Sequence, residues 1–214
     1  MENHPSRRNF LKTSTVAAAG ATLSSTIART AHAQGSDEIK FALIGCGGRG
    51  KGASLNIFNS GGNVKLVAVA DAFDNKASEA INSLSKRFKD KVDVPADRKF
   101  VGLDAYKKLL EVEADLVIIA TPPGFKPQQF EAAVNAGKHV FMEKPVASDA
   151  VGVRRVLASV EESKKKNLMV GIGLQRRHEA QYLETVGRIH DGAIGDIIAT
   201  RVYWNGGGIW YRNR

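Results

Sequence analysis

The sequence contains little cysteine and no long apolar run. Its single cysteine, Cys46, excludes an internal disulfide and a Cys-x-x-Cys metal site, and we predict no metal centre. No uninterrupted apolar stretch approaches the about 20 residues that a membrane-spanning helix needs, so we expect no stable membrane insertion. With 43% hydrophobic and 25% charged residues, the 214-residue chain is typical of a soluble globular protein of one or two domains.

The sequence also lacks a concentrated basic surface, although its formal net charge is +9. Residues 1–33 contribute +3 of this charge, because four basic residues there are opposed by one acidic residue. The other basic residues are scattered and are not interleaved with aromatic side chains. This pattern indicates a solvated basic surface, and we expect no nucleic-acid partner.

Residues 1–33 have the order of an export signal. An Arg-Arg-Asn-Phe-Leu-Lys segment is followed by a mildly apolar stretch at 13–28 and then by Ala-His-Ala, a small-x-small cleavage pattern. Paired arginines in this place resemble a twin-arginine signal. We predict cleavage after Ala33, a mature chain that starts at Gln34, and delivery by the twin-arginine export machinery to the periplasm or another extracytoplasmic compartment.

A glycine-rich loop follows the first predicted strand, at 39–44. The segment Gly45-Cys46-Gly47-Gly48-Arg49-Gly50 matches G-x-G-x-x-G, and a helix is expected at about 51–59. The first glycine permits a tight turn, the second lets a pyrophosphate approach the backbone, and the third lets the helix pack on the strand. We interpret Cys46 as a small residue of this loop. The predicted phosphate-binding residues are Gly45, Gly47, Gly48, Arg49 and Gly50.

An acidic residue ends the second predicted strand, at 64–70. Asp71 lies 21 residues after Gly50, where a carboxylate can accept hydrogen bonds from the adenosine ribose of a dinucleotide. An alternative is that Asp71 is a helix N-cap. Its charge would repel a 2′-phosphate and so favours NAD over NADP, but Arg49 in the loop could reach such a phosphate, and NADP stays open.

The rest of the chain alternates between short apolar runs and segments of helical periodicity. This alternation predicts an α/β fold with a doubly wound parallel sheet, in which ligands bind beyond the carboxyl ends of the strands. The strands are expected at 99–101, 115–120, 139–142 and 168–172. The residues expected to converge on one crevice are Gly45–Gly50, Asp71, Thr121, Pro122, Glu143, Lys144, Pro145 and Gln175–His178.

Three motifs together resemble one family. They are Ile-Gly-Cys-Gly-Gly-Arg-Gly, Ala-Thr-Pro-Pro, and Ala-Gly-Lys-His-Val-Phe-Met-Glu-Lys-Pro. Over residues 38–204 the chain resembles the Gfo/Idh/MocA oxidoreductases, the family of glucose–fructose oxidoreductase and inositol dehydrogenase. The resemblance implies a Rossmann domain, here 37–168, and then an α/β domain with an open sheet, begun at 169–214. It implies NAD(P)-dependent hydride transfer involving a secondary hydroxyl of a sugar, sugar derivative or cyclitol.

The resemblance also assigns roles to residues. Lys144 would lie beside the nicotinamide and the reacting hydroxyl as the catalytic residue, and Glu143 at the cofactor edge. Pro145 would follow a cis peptide bond, and Arg176 would approach the nicotinamide. A lysine in that place can carry the proton of the hydroxyl or stabilise a developing alkoxide. Thr121 and Pro122 complete the predicted cofactor-binding set.

The chain departs from the family in two places. Members often have Thr-Pro-x-x-x-His, whereas Lys126 stands here at the histidine position; Phe125 and Gln128 are candidates for that space, and the contact is unassigned. Residues 169–214 supply one strand, a helix and a strand at 196–204, which is much less than the family's second domain with its acid/base histidine.

We therefore expect a truncated chain that is not catalytically competent alone, and a homo-oligomer for a full-length protein. Two other functions remain open. One is an NAD-dependent glycoside hydrolase of the same family, and the other is a non-catalytic dinucleotide-binding fragment.

Overall fold

The computed structural model describes residues 37–205, which divide into two compact units, 37–172 and 173–205. The predicted signal and its cleavage site after Ala33 lie outside the described residues. Among residues 37–205, no helix combines the length and the apolar character needed to cross a membrane.

The first unit is a parallel sheet with helical connections. Every strand pair is parallel, in the order β3-β2-β1-β4-β5-β6, which confirms the predicted doubly wound α/β fold. The last strand pairs with its neighbour, so the compact unit extends four residues beyond the predicted domain end at 168. The elements are β1 (Ile39–Ile44), α1 (Gly48–Phe58), β2 (Val64–Asp71), α2 (Asp74–Arg87), β3 (Lys99–Val101), α3 (Ala105–Leu110), β4 (Leu116–Ile119), α4 (Lys126–Asn135), β5 (His139–Met142), α5 (Ala150–Lys165) and β6 (Val170–Ile172).

Two apolar layers hold the sheet between its helices. Phe41 and Leu43 of β1 face α1 and α2, where Phe58 and Leu84 are buried against them. The strand residues that alternate with these point to the other face of the sheet and pack against α3, α4 and α5. Because both faces of the sheet are covered, the central strands are continuous apolar runs, as parallel sheets require.

Helix α1 begins three residues earlier than predicted. It starts at Gly48, within the glycine motif, so the loop itself forms the first helical turn. The backbone N–H groups of this turn therefore point toward the carboxyl edge of the sheet, where the strands end.

The second unit contains a short 3₁₀ turn, Gln175–Arg177, and the helix α6 (Ala180–His190). The helix was predicted, but the predicted strand at 196–204 is wrong, since residues 191–205 contain no strand. A strand is held by hydrogen bonds to a neighbouring strand. Residues 173–205 provide no such neighbour, and Ile198 is 91% exposed.

Candidate functional site

A cleft opens at the carboxyl edge of the sheet, beside β1 and β4, where the strand order reverses. Its volume is about 400 Å³. Ligands of doubly wound sheets bind at this switch point. The cleft brings together five predicted site residues, Gly45, Gly47, Asp71, Thr121 and Pro122.

Gly45 and Gly50 are both required by close backbone contacts. Gly45 has a φ of +93°, and a Cβ there would lie 2.8 Å from the carbonyl carbon of Ala120. A Cβ at Gly50 would lie 1.9 Å from the carbonyl oxygen of Gly45. The third glycine of the motif therefore lets α1 pack on the turn that follows β1.

The N-terminus of α1 has the features of a phosphate site. Within the described residues, no side chain caps this helix and its first turn contains no acidic residue. A Cβ at Gly47 or Gly48 would meet no atom of the described chain within 4 Å. Exposed N–H groups, the positive end of the helix dipole and free space together fit the pyrophosphate of a dinucleotide.

The Asp71 carboxylate is fixed by the backbone around it. One oxygen accepts a hydrogen bond from the Cys46 N–H at 2.7 Å, and the other accepts from the Phe73 N–H at 3.0 Å. Asp71 is not the N-cap of α2, because Phe73 occupies that position. Each oxygen retains a lone pair, so the carboxylate can accept ribose hydroxyls at the wall of the cleft.

An ion pair joins the glycine loop to the end of β5. The Nη2 of Arg49 lies 2.5 Å from the Oε1 of Glu143, whose side chain is 6% exposed. The hydrogen bond from Arg49 to Glu143 raises the pKa of the Arg49 guanidinium, and partial burial opposes this rise. In this structure Arg49 is thus engaged with a carboxylate that lies at the predicted cofactor edge.

Lys144 follows Glu143 at the rim of the sheet. The Lys144–Pro145 peptide bond is cis, as the family resemblance implies. The Lys144 side chain is exposed at this rim. Its role as the catalytic residue remains a prediction.

Of the two candidates for the space of the missing histidine, Phe125 lines the cleft and Gln128 is not among its lining residues, while Lys126 stands at the histidine position itself. Lys126 turns inward and is 2% exposed. Gln129 also lines the cleft and accepts a hydrogen bond from the Thr121 hydroxyl at 2.5 Å. Helical spacing could have revealed Lys126, because it shares a face with the buried residues Phe130 and Ala133.

The apolar wall of the cleft was also missed by the sequence reasoning. Three of its side chains lie after β2 and β3, where no motif marks them: Phe73, Leu103 and Tyr106. Apolar walls with a few fixed polar groups are typical of nucleotide and other small-molecule sites.

Cys46 is a packing residue of the loop. Its thiol is buried and donates to the carbonyl oxygen of Ala70 at 3.6 Å. Burial, with the nearby charge of Asp71, raises the pKa of the Cys46 thiol to about 12. The thiolate is therefore scarce at neutral pH, which agrees with its interpretation as a small structural residue.

Arg176 lies in the second unit. Its guanidinium pairs with Glu179 at 2.8 Å and lies over the rings of Tyr182 and Trp204. These contacts all lie within residues 173–205. The predicted approach of Arg176 to a nicotinamide remains a prediction.

Comparison with known proteins agrees with this geometry. A sequence model of the Gfo/Idh/MocA oxidoreductase family, described by its NAD-binding Rossmann fold, matches residues 39–172. A model of the twin-arginine translocation signal matches residues 4–24, which confirms the predicted signal. The inositol 2-dehydrogenase of Rhizobium meliloti is 33% identical over 162 residues, which are 74% of this chain and 43% of that protein.

Solved structures of inositol dehydrogenases are similar as well. Myo-inositol 2-dehydrogenase from Lactobacillus plantarum has a TM-score of 0.63 at 27% identity, over 75% of this chain and 43% of that one. Scyllo-inositol dehydrogenase from Lactobacillus casei, solved with NAD(H) and scyllo-inositol, has a TM-score of 0.58 at 27% identity. The match covers 74% of this chain and 43% of that one. The chain thus spans less than half the length of these relatives. With its family match, its sheet order and its glycine loop, the chain belongs to the Gfo/Idh/MocA family of NAD-binding oxidoreductases.

Proposed function

We propose that this chain is the cofactor-binding part of an exported, NAD-dependent dehydrogenase that oxidises a secondary hydroxyl of a cyclitol or sugar. The observation that carries the proposal is the cleft at the strand switch point, where the glycine loop and the Asp71 carboxylate face the same space. Similarity to inositol dehydrogenases supports a cyclitol as the first substrate to test. The twin-arginine signal supports export to the periplasm or a similar compartment.

The residues present fit the pyrophosphate and the adenosine half of a dinucleotide. The N–H groups at the start of α1 would hold the pyrophosphate, Asp71 would hold the adenosine ribose, and the apolar wall around Tyr106 would take the adenine. When bound, the nicotinamide supplies the hydride acceptor. Lys144, at the rim, would either accept the proton of the hydroxyl as a neutral amine or, as an ammonium group, donate a hydrogen bond to the developing alkoxide.

The activity can be tested with free cyclitols. We expect NADH to accumulate when a complete enzyme that contains this chain is given NAD with myo-inositol or scyllo-inositol, measured by NADH absorbance. Release of a chromogenic aglycone from a glycoside without net NADH would instead indicate the glycoside hydrolase. Binding of NAD without turnover on either substrate would indicate a non-catalytic dinucleotide-binding protein.

Asp71 is expected to set both NAD affinity and the preference for NAD over NADP. Asp71→Ala should weaken NAD binding about 5- to 30-fold, which corresponds to about 1–2 kcal/mol for the loss of charge-assisted hydrogen bonds. It should weaken NADP binding less, because repulsion of the 2′-phosphate is lost at the same time. Isothermal titration with both dinucleotides measures the two effects.

The matched control for this prediction is Asp74→Ala. Asp74 is three residues away and pairs with Lys99 at 2.6 Å, but it does not line the cleft. Its replacement should leave both affinities within about twofold, the effect of an ordinary surface change. Equal NAD affinity in Asp71→Ala and the unmodified protein would remove Asp71 from the proposed site.

A further inference from the structure

A buried lysine lies beneath the loop that carries Lys144. Lys126, in the first turn of α4, is 2% exposed. Its ammonium nitrogen is 2.6 Å from the carbonyl oxygen of Glu143, 3.2 Å from that of Lys144 and 2.9 Å from that of Pro145. One side chain thus contacts three consecutive main-chain carbonyl groups.

The chemistry of these contacts requires the ammonium form. A protonated lysine has three N–H donors, and three carbonyl oxygens lie around Lys126, whereas a neutral amine would have only two donors. Burial lowers the pKa of Lys126, the Glu143 carboxylate opposes this shift, and the charge of Lys144 adds to it. A buried cation is tolerated when its donors are satisfied, and here all three are.

The same loop is held from its other side. The Glu143 N–H donates to the Ile119 carbonyl oxygen at 2.9 Å, and the Glu143 carboxylate pairs with Arg49. The backbone on both sides of Lys144 is therefore anchored to α4, β4 and α1. The Lys144 side chain itself is exposed, so its direction depends on this anchored backbone.

We propose that Lys126 is a positioning residue, which fixes the Glu143–Pro145 backbone through three hydrogen bonds and so directs Lys144 toward the reacting hydroxyl. The catalytic part of this statement rests on the proposed dehydrogenase function. The loop-holding part does not, because it concerns contacts within residues 37–172 alone.

The test compares three variants of the full chain. Lys126→Met keeps the apolar stem and removes the donors, while Lys126→Arg keeps a cation with several donors. Lys166→Met is the matched control, because Lys166 also donates to main-chain carbonyl groups, those of Val134 and Asn135, but at the opposite end of α4. If Lys126→Met does not fold, Lys126→Gln, with two amide N–H donors, takes its place.

Hydrogen exchange by mass spectrometry reports on the loop without any need for activity. In Lys126→Met the peptide that contains Glu143, whose N–H donates to the Ile119 carbonyl oxygen, should exchange about tenfold faster or more at that amide, the effect of losing a charge-assisted hydrogen bond that holds the loop. Lys126→Arg should restore most of the protection, and Lys166→Met should leave this peptide unchanged. Unchanged exchange in Lys126→Met would overturn the proposal.

Steady-state kinetics of a complete enzyme that contains this chain, with NAD and a cyclitol as substrates, test the positioning role. Lys126→Met should lower kcat about tenfold or more while KM for NAD stays within about twofold, and Lys126→Arg should recover most of kcat. A faster-exchanging loop with kcat equal to that of Lys166→Met would overturn the positioning role. If the complete, unmodified enzyme that contains this chain binds NAD but forms no NADH, the proposed function fails, and with it the catalytic part, while hydrogen exchange still decides whether Lys126 holds the loop.

Discussion

Gly50→Ala is expected to destabilise the first unit by about 3 kcal/mol or more and to abolish measurable NAD binding. The added methyl group would lie 1.9 Å from the Gly45 carbonyl oxygen and 3.2 Å from Cδ1 of Leu43. Neither the Gly45 backbone nor the Leu43 side chain can move away easily. Gly45 donates its N–H to Ala70 and closely approaches Ala120, and Leu43 is fully buried in the core.

The clash can be relieved only if α1 moves away from the turn that follows β1. That movement would displace the N–H groups proposed to hold the pyrophosphate, so stability and NAD affinity should fall together. Urea unfolding and isothermal titration with NAD measure the two quantities.

Gly52→Ala, two residues along the same helix, separates this clash from a general effect of alanine. Within 4 Å of a Cβ at Gly52, the described part of the chain offers only the Nη1 of Arg49, at 3.9 Å. Alanine is a better helix former than glycine by up to about 1 kcal/mol, so this variant should be unchanged or slightly more stable. If Gly50→Ala were as stable as Gly52→Ala and bound NAD equally well, the close packing of α1 on the glycine turn would be refuted.

Lys144→Ala, in a complete enzyme that contains this chain, is expected to lower turnover about 100-fold or more with NAD and a cyclitol, the usual contribution of a positioned proton donor or acceptor. Because the side chain is exposed, the free energy of unfolding should change by no more than about 0.5 kcal/mol. KM for NAD should change little, since the phosphate and ribose contacts proposed above lie on other residues. Steady-state kinetics and urea unfolding check these expectations.

Lys144→Arg distinguishes the two chemical roles open to this residue. Arginine keeps the positive charge but does not release its proton, so it can stabilise an alkoxide but cannot carry the proton of the hydroxyl. Turnover as low as in Lys144→Ala would identify proton transfer, and substantial recovery would identify charge stabilisation. Full turnover in Lys144→Ala would exclude Lys144 from the mechanism.

The predicted strand at 196–204 shows that a local apolar pattern is not sufficient to predict a strand. Its apolar residues have the composition of a strand, but backbone hydrogen bonds in a sheet come from a second strand that is remote in sequence. Residues 173–205 contain no such partner, and the segment is irregular there. By contrast, the strands at 39–44 and 139–142 were predicted at their observed bounds, because their neighbours in the sheet are present.

The sequence by itself determined the parallel α/β class, the glycine loop and the acidic residue after β2, because each depends on residues close together along the chain. Only the tertiary structure decided that Arg49 pairs with Glu143, 94 residues away, and that Lys126 holds the loop around Lys144. Spacing along a helix or strand specifies which face a side chain occupies. Which polar atoms meet it there depends on how strands and helices distant in sequence pack against one another.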